Sequence, residues 1–262
     1  MHIRSRRRSY FAAVLGVAAA LIAAQAGAQS PHPDFPNRPM RIIVAVPAGG
    51  GVDLSLAIMA VGPNVLAVKH DSPAHTVADL IALAKANPGK MSYASQGNGS
   101  TTHLTMELFL SRTGVKLVHV PYRGAAPAAN DLAGGHVDTM FWDLGTILPL
   151  HQGGRVRIIA VATLARLSQI PEVPTIDESG VAGFSSTTFY ALMAPPKTPS
   201  AMREKLNKAI VTAMQSPEAE TRLKTIFVGA SPLGVHETGD FIKAQAKLWG
   251  DVIRAARITI EQ

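Results

Sequence analysis

The chain of 262 residues contains no cysteine. Disulfide bonds, thiol nucleophiles and cysteine-based metal sites are therefore excluded. Charged residues make up only 16% of the chain and aromatic residues 5%, whereas 47% of the residues are apolar. Because disordered chains are rich in charge and poor in apolar residues, this composition predicts a protein that folds around a hydrophobic core.

Enzyme motifs are also missing from the chain. It has no GxxxxGK[ST] phosphate loop, no GxGxxG nucleotide loop, no GxSxG nucleophile motif and no HExxH metal motif. The nine histidines include no pair at metal-ligand spacing. We therefore expect a protein that is not an enzyme, with no catalytic residues, no metal and no cofactor.

Positive charge is concentrated at the N-terminus. Four of the 25 basic residues lie in the first eight positions, and the other 21 nearly balance the 18 acidic residues. The sequence has no basic stripe interleaved with aromatic residues, a pattern typical of nucleic-acid-binding surfaces. The formal net charge of +7 therefore does not indicate a nucleic-acid partner.

The first 28 residues have the pattern of an export signal. The arginine-rich stretch MHIRSRRRS precedes the apolar run YFAAVLGVAAALIAA, and the small residues of AQAGAQS follow. This run is short for a membrane span, so we expect a cleaved signal peptide over residues 1–28 and a periplasmic protein. An uncleaved N-terminal anchor helix is the alternative.

Strand-like and helix-like segments alternate along the rest of the chain. Apolar runs rich in β-branched residues predict strands at 40–47, 63–69, 91–95, 115–122, 136–142, 155–163 and 184–195. Helical spacing is found at 76–89, 101–114, 127–135, 174–180, 199–215, 217–226 and 236–257, and Thr76 is a predicted N-cap. Gly62 and Pro63 mark the expected start of the second strand. The alternation predicts an α/β fold with a mainly parallel sheet.

Two glycine-rich loops each follow a predicted strand. In open parallel sheets ligands bind at the carboxyl ends of the strands, where backbone amides and helix N-termini suit an anion. The alternative is that the glycines only form turns and that Ser100 or Thr101 only caps a helix. The candidate residues are Ala48, Gly49, Gly50 and Gly51 in the first loop, and Gly97, Asn98, Gly99, Ser100 and Thr101 in the second.

Three further polar residues lie near predicted strand ends. His103 is expected either to recognise an anion or to pack inside its helix. Asp143 is expected either to contact a polar ligand group or to cap the helix that follows it. Tyr122 is expected to line a cleft.

Long segments of the chain resemble a known family of transport proteins. They include PNRPMRIIVAVPAGGGVD, MSYASQGNGSTTHLTMELF, VHVPYRGAAPAANDLAGGHVDTMF and IPEVPTIDESGVAGF. These resemble the Bug-type solute-binding proteins of tripartite tricarboxylate transporters, and the match covers nearly the whole chain after the signal. The resemblance implies two α/β domains around a cleft, the type II periplasmic-binding-protein architecture. It also implies capture of a small organic carboxylate, which passes to a membrane permease.

The resemblance also assigns roles to individual residues. Residues 48–51 match the first loop that grips a carboxylate, and Asp53 matches the acid that follows it. Residues 97–101 and His103 match the loop and helix start on the other side of the cleft, and Tyr122 matches a residue near it. Family members often carry an acid directly after MF, where this chain has Trp142, so the role of Asp143 departs from the family pattern.

A block of the family's first domain is absent from this sequence. Relatives carry a helix, a strand and a second glycine-rich loop between GGGxD and PNVLAV. In this chain only residues 54–62 separate Asp53 from PNVLAV, and 54–61 form an apolar run. That run is expected to be either a short helix or a strand that continues into the next. The resemblance implies a truncated first domain (36–66 and 187–262), a second domain (67–186) and weakened ligand binding. A non-transporting remnant, or a partner module for a sensor or permease, is the alternative.

Overall fold

The computed structural model describes residues 55–195 and 197–259. Strands and helices alternate through most of this part of the chain. In chain order they are β1 (Ser55–Lys69), α1 (Val77–Ala86), β2 (Ser92–Ser95), α2 (Thr101–Thr113), β3 (Val118–Pro121), α3 (Ala125–Ala133), β4 (Thr139–Asp143), α4 (Leu144–Gln152), β5 (Val156–Val161), β6 (Thr187–Met193), α5 (Ser200–Met214), α6 (Pro217–Thr225), β7 (Gly229–Ala230) and α7 (Val235–Ala256). The α/β fold expected from the sequence is confirmed.

The strands form one mixed sheet. Its central order is β3-β2-β4-β1-β5, while β6 and β7 pair with the first part of β1. The pairs that β2 makes with β3 and with β4 are parallel, but β1 is antiparallel to β4, β5, β6 and β7. The prediction of a mainly parallel sheet is therefore wrong for the hydrogen-bonded pairs. The reason is that β1 lies between β4 and β5 and runs against both, although β2, β3, β4 and β5 all share one direction.

Strand β1 joins two runs of the sequence, which confirms the expected alternative that the run after Asp53 is a strand continuing into the next. It runs without interruption through Gly62 and Pro63, so the expected strand start at these residues is wrong, and its residues 55–61 continue into the next run. Pro63 is the last β1 residue paired with β6, and Asn64 is the first paired with β4. Because the proline lies where one ladder gives way to another, its missing N–H does not interrupt the strand.

The two faces of the sheet are buried in separate cores. Leu66 and Val68 of β1 belong to a core with residues of α1, α2 and α7, whereas Val65 and Ala67 belong to a core with residues of α3 and α4. Alternate residues of a strand point to opposite faces, which explains this division. Burial on both faces also explains why β1 is apolar almost throughout rather than alternating.

Two buried polar side chains support the first half of β1, where its ladder with β6 is irregular. The side-chain amide of Asn207 donates to the carbonyl oxygens of Leu56 and Leu233, each at 2.8 Å. The Thr238 hydroxyl accepts a hydrogen bond from the amide of Ile58 at 3.1 Å. These contacts give hydrogen-bond partners to backbone groups beside the irregular part of the β1–β6 ladder.

The predicted cap at Thr76 is confirmed, whereas the helix predicted at 174–180 is not present. Thr76 caps α1 as expected, because its hydroxyl accepts from the amide of Asp79 and the Asp79 carboxylate accepts from the amide of Thr76. The helix expected at 174–180 is wrong, since the segment forms turns. Thr175 pairs instead with Val161 in an isolated bridge, which ties the start of the segment to the end of β5.

Candidate functional site

The predicted site residues that the structure describes lie at or near the carboxyl ends of strands β2, β3 and β4. Strands β2, β3 and β4 run in the same direction and end at Ser95, Pro121 and Asp143. The second glycine loop follows β2, and Tyr122 directly follows β3. The amide of Tyr122 donates to the carbonyl oxygen of Ser95 at 2.9 Å, so the loop and Tyr122 start from neighbouring points.

Two glycines shape the second loop. Gly97 has a φ of +113° and Gly99 a φ of +72°, which are conformations that other residues rarely adopt. The Ser100 hydroxyl donates to the carbonyl oxygen of Gly97 at 2.8 Å and accepts from the amide of His103 at 3.3 Å. Ser100 is therefore the N-cap of α2, as one of the two readings expected, and its part in ligand binding stays a prediction.

Several backbone amides of the loop have no acceptor within the part of the chain that the structure describes. They are the amides of Asn98, Thr101 and Thr102. The last two belong to the first turn of α2, where the helix dipole adds partial positive charge. Such a set of donors is suited to an anion with several oxygen atoms.

The remaining loop amides are bound internally. The Gly97 amide donates to the Ser95 hydroxyl at 3.0 Å, and the Gly99 amide donates to Nδ1 of His103 at 3.0 Å. The Gln96 amide donates to the Thr102 hydroxyl at 3.0 Å. The loop is thus fixed from the inside by side chains of β2 and α2.

His103 lies in the interior rather than on the open side of the loop. Its side chain is buried, and its ring stacks on that of His119 with centroids 3.9 Å apart. Its Nε2 is 3.8 Å from Oε1 of Glu107. Burial lowers the pKa of His103, and the Glu107 charge only partly opposes this. The geometry agrees with the packed alternative, and direct contact with an anion stays a prediction.

Tyr122 is tied to the helix that follows it. Its hydroxyl donates to Oδ2 of Asp131 at 2.6 Å. Burial, together with this hydrogen bond to a carboxylate, raises the pKa of Tyr122 to about 12. The side chain is therefore a neutral, fixed phenol near the site at physiological pH, and its place in a ligand cleft stays a prediction.

Asp143 caps α4, which was one of its two expected roles. Its Oδ1 accepts from the amide of Thr146 at 2.9 Å, and the Thr146 hydroxyl also donates to the carboxylate. The residue borders a cavity of about 180 Å³, which is lined by Gly62, Pro63, Asp143, Leu144, Gly145, Thr188, Tyr190, Ile226, Phe227 and Val228. A larger depression of about 390 Å³ lies beside α1 and is lined by Pro73, Asp79, Ala82, Leu83 and Ala86.

A polar network that was not predicted from the sequence lies next to the carboxyl end of β4. Asn64, which lies opposite Asp143 in the ladder, accepts from the Thr188 hydroxyl at 3.3 Å and is 3.5 Å from the Ser186 hydroxyl. The Thr105 and Ser186 hydroxyls are 2.6 Å apart, which connects α2 to this group. Asn64 inside an apolar strand run was the one available signal, because a buried amide requires hydrogen-bond partners.

Part of the predicted site lies outside the described residues. The first glycine loop, 48–51, and Asp53 fall there, as does the predicted signal peptide over 1–28. Within the described ranges, no group of three histidine or acidic side chains is arranged to hold a metal ion. Those same ranges contain no helix with the length and apolar character needed to cross a membrane.

Comparisons with known sequences agree on one family. The family model for the tripartite tricarboxylate transporter family receptor matches residues 51–258. The UPF0065 protein from the tcbD–tcbE intergenic region of a Pseudomonas species is 36% identical over 201 residues, which cover 76% of this chain and 60% of that protein. Protein BugT of Bordetella pertussis is 31% identical over 224 residues, which cover 85% of this chain and 65% of BugT. The chain therefore spans less than two thirds of the length of these relatives.

Solved structures show the same relationship. The R. palustris protein Rpa4515, solved with adipate, is 32% identical with a TM-score of 0.70, and the match covers 79% of this chain and 69% of that one. The periplasmic binding protein BugD is 28% identical with a TM-score of 0.68, over 79% of this chain and 70% of BugD. The predicted type II periplasmic-binding-protein fold is confirmed by these neighbours. The chain belongs to the receptor family of the tripartite tricarboxylate transporters, as its sequence segments indicated.

Proposed function

We propose that this protein binds a small organic carboxylate in the periplasm and delivers it to the membrane permease of a tripartite tricarboxylate transporter. The observation that carries the proposal is the second glycine loop. Its amides at Asn98, Thr101 and Thr102 have no acceptor among the described residues, and they lie at the N-terminus of α2. Carboxylate oxygens accept hydrogen bonds from such donors without any cationic side chain.

The relatives support this class of ligand. The Rpa4515 structure contains adipate, and that protein shares 32% identity with this chain. Adipate is therefore the first ligand to test, followed by shorter and longer dicarboxylates. Residues 48–51 and Asp53 are proposed to complete the site from the other side of the cleft, as the resemblance implies.

The proposed mechanism is closure of two domains around the anion. The proposed division places 36–66 and 187–262 in one domain and 67–186 in the other. Strand β1 supports it, because its first part pairs with β6 and its last part with β4 and β5, with the change at Pro63 and Asn64. A strand shared by two domains is a natural connection for a hinge motion.

Binding is proposed to be weaker than in full-length relatives. The chain spans 60% of the Pseudomonas relative. The resemblance implies that the missing part is the block that follows the GGGxD loop in the family. Each charge-assisted hydrogen bond that is lost from an ionised carboxylate removes about 1.5–3 kcal/mol of favourable interaction. The reduced length of the chain also favours the second candidate, a non-transporting remnant or partner module that binds no carboxylate.

Calorimetric titration of the purified chain with adipate tests the proposal. Adipamide is the matched control, because it has the same length but carries no charge. We expect saturable binding of adipate, weaker than by Rpa4515 under the same conditions, and no binding of adipamide. If neither adipate nor any other dicarboxylate binds or raises the unfolding temperature, ligand capture is wrong and the second candidate is favoured.

A further inference from the structure

Two histidines from different elements meet beside the Gly97–Ser100 loop. The rings of His103 on α2 and His119 on β3 stack with centroids 3.9 Å apart and an angle of 12° between their planes. The ring of Tyr93 on β2 lies 4.9 Å from that of His119, inclined by 17°. Because three elements contribute to this stack, the orientation of each imidazole is fixed by packing.

Each histidine is connected to one glycine of the loop. Nδ1 of His103 accepts directly from the Gly99 amide at 3.0 Å. Nε2 of His119 is 2.6 Å from the Ser95 hydroxyl, and that hydroxyl accepts from the Gly97 amide at 3.0 Å. The stacked pair therefore holds both glycine amides of the loop toward the interior.

The orientation of these two amides determines what the loop presents to the outside. With Gly97 and Gly99 bound inward, the amides of Asn98 and Thr101 are left for an external acceptor. Glycine residues alone do not select this arrangement, because they adopt many backbone conformations at similar energy. A side-chain acceptor for each inward amide selects one of them.

We propose that His103 and His119 are positioning residues, which hold the Gly97–Ser100 loop in the conformation that receives the anion without contacting the anion themselves. This inference rests on the proposed function, since it assigns a task to side chains behind the same loop. It differs from the expectation that His103 is a direct ligand contact. The difference can be measured, because the two roles use different nitrogen atoms of the ring.

The proposed role requires an unprotonated Nδ1 on His103, since a protonated nitrogen no longer accepts from the Gly99 amide. The titratable groups that face the ring are Glu107 on the same helix, His119 on β3, and Tyr93 on β2, whose hydroxyl donates to Glu107 at 2.6 Å. Burial lowers the pKa of both histidines, to about 4 for His119, where the neighbouring His103 is the second cause. Both rings are therefore neutral near pH 7.

Two substitutions at position 103 separate positioning from direct contact. His103→Asn places its side-chain oxygen near the site of Nδ1 but has no atom at the site of Nε2. His103→Leu fills similar space and has no acceptor. We expect His103→Leu to raise the Kd for adipate about tenfold, the effect of losing one hydrogen bond, and His103→Asn to restore most of the affinity. His75→Leu, at an exposed histidine before α1, is the control and leaves the Kd unchanged.

Two binding results would overturn the inference. The first is a His103→Leu protein that is folded and binds adipate as the parent chain does. The second is a His103→Asn protein that loses as much affinity as His103→Leu, because that pattern indicates contact through the Nε2 side of the ring.

A measurement without ligand distinguishes this inference from the proposed function. In an NMR spectrum of the parent chain, we expect a scalar coupling across the hydrogen bond between the Gly99 nitrogen and Nδ1 of His103. We also expect faster hydrogen exchange of the Gly99 amide in His103→Leu than in His103→Asn. If no carboxylate binds but both signatures are present, the proposed function fails while the positioning role stands. If both signatures are absent, the positioning role is wrong whatever the protein binds.

Discussion

Asn207 on α5 and Leu56 on β1 are 151 positions apart in the chain, yet the side-chain amide of one donates to the carbonyl oxygen of the other at 2.8 Å. The same amide group also donates to the carbonyl oxygen of Leu233 at 2.8 Å. We predict that Asn207→Leu lowers the free energy of unfolding by about 1–3 kcal/mol, because it leaves buried carbonyl groups without a donor. Urea unfolding followed by circular dichroism measures this.

The neighbouring Lys208 provides the control for that prediction. It is exposed on the same helix, so Lys208→Leu tests the addition of a leucine without the loss of a buried hydrogen bond. We expect a change within about 0.5 kcal/mol for the control. Equal unfolding curves for the two variants would show that Asn207 does not support β1.

The second prediction concerns the glycines with positive φ. Gly99 in the candidate site has a φ of +72°, and Gly89 after α1 has a φ of +69°. Alanine at either position adopts this conformation at a cost of about 1–2 kcal/mol, so the two variants should lose similar stability. Only Gly99→Ala should weaken adipate binding, by about tenfold or more, because relief of the strain shifts the loop that carries the free amides.

Titration calorimetry on the two alanine variants checks this contrast. The comparison removes the general effect of lost stability, since both proteins carry the same kind of backbone strain. A Gly89→Ala protein with reduced affinity, or a Gly99→Ala protein with normal affinity, would contradict the role of the second loop in ligand binding.

The third prediction is a pH dependence of stability from His119. Its folded-state pKa of about 4 lies below the ordinary value of 6.5, mainly because of burial, with the neighbouring His103 as the second cause. The unfolded chain therefore binds a proton at this residue between pH 6.5 and about 4, while the folded chain does not. The stability from the neutral ring is complete above pH 6.5 and is lost as the pH falls toward 4.

His103 contributes in the same direction, because burial lowers its pKa as well. Glu107 and Tyr93 also face the pair, so the measurement compares variants rather than absolute curves. We expect His119→Gln, which cannot titrate, to lose less stability than the parent chain between pH 7 and 4.5 in urea unfolding. A variant curve parallel to the parent curve over this range would contradict the assignment.

Most of the elements after residue 70 were predictable from local signals. Thr76 followed by Asp79 predicts a capping box, and Gly114 ends α2 in the left-handed conformation that glycine favours. Strand β4 was visible as an apolar run because both of its faces are buried. The position of the second loop at the carboxyl ends of the strands was also predictable, since loops that follow strands of one direction lie at the same end of the sheet.

Other features depended on contacts between distant residues. The continuity of β1 through Gly62 and Pro63 arises because its partner changes from β6 to β4 at this point. The stacking of His103 on His119 follows from α2 lying over the β2–β3 pair, which no local pattern specifies. Local composition gives the same signal for a turn of glycines that binds a ligand and for one that does not.

The central claim is that main-chain amides of the second glycine loop and of the first turn of α2 bind the carboxylate. The most direct test is a ¹H–¹⁵N NMR titration of the chain with adipate, with adipamide as the control. We predict that the amide signals of Asn98, Thr101 and Thr102 move downfield together and saturate with the Kd measured by calorimetry, whereas adipamide leaves them in place. Saturable adipate binding with these three signals unmoved would contradict the account, because the anion would then be held elsewhere.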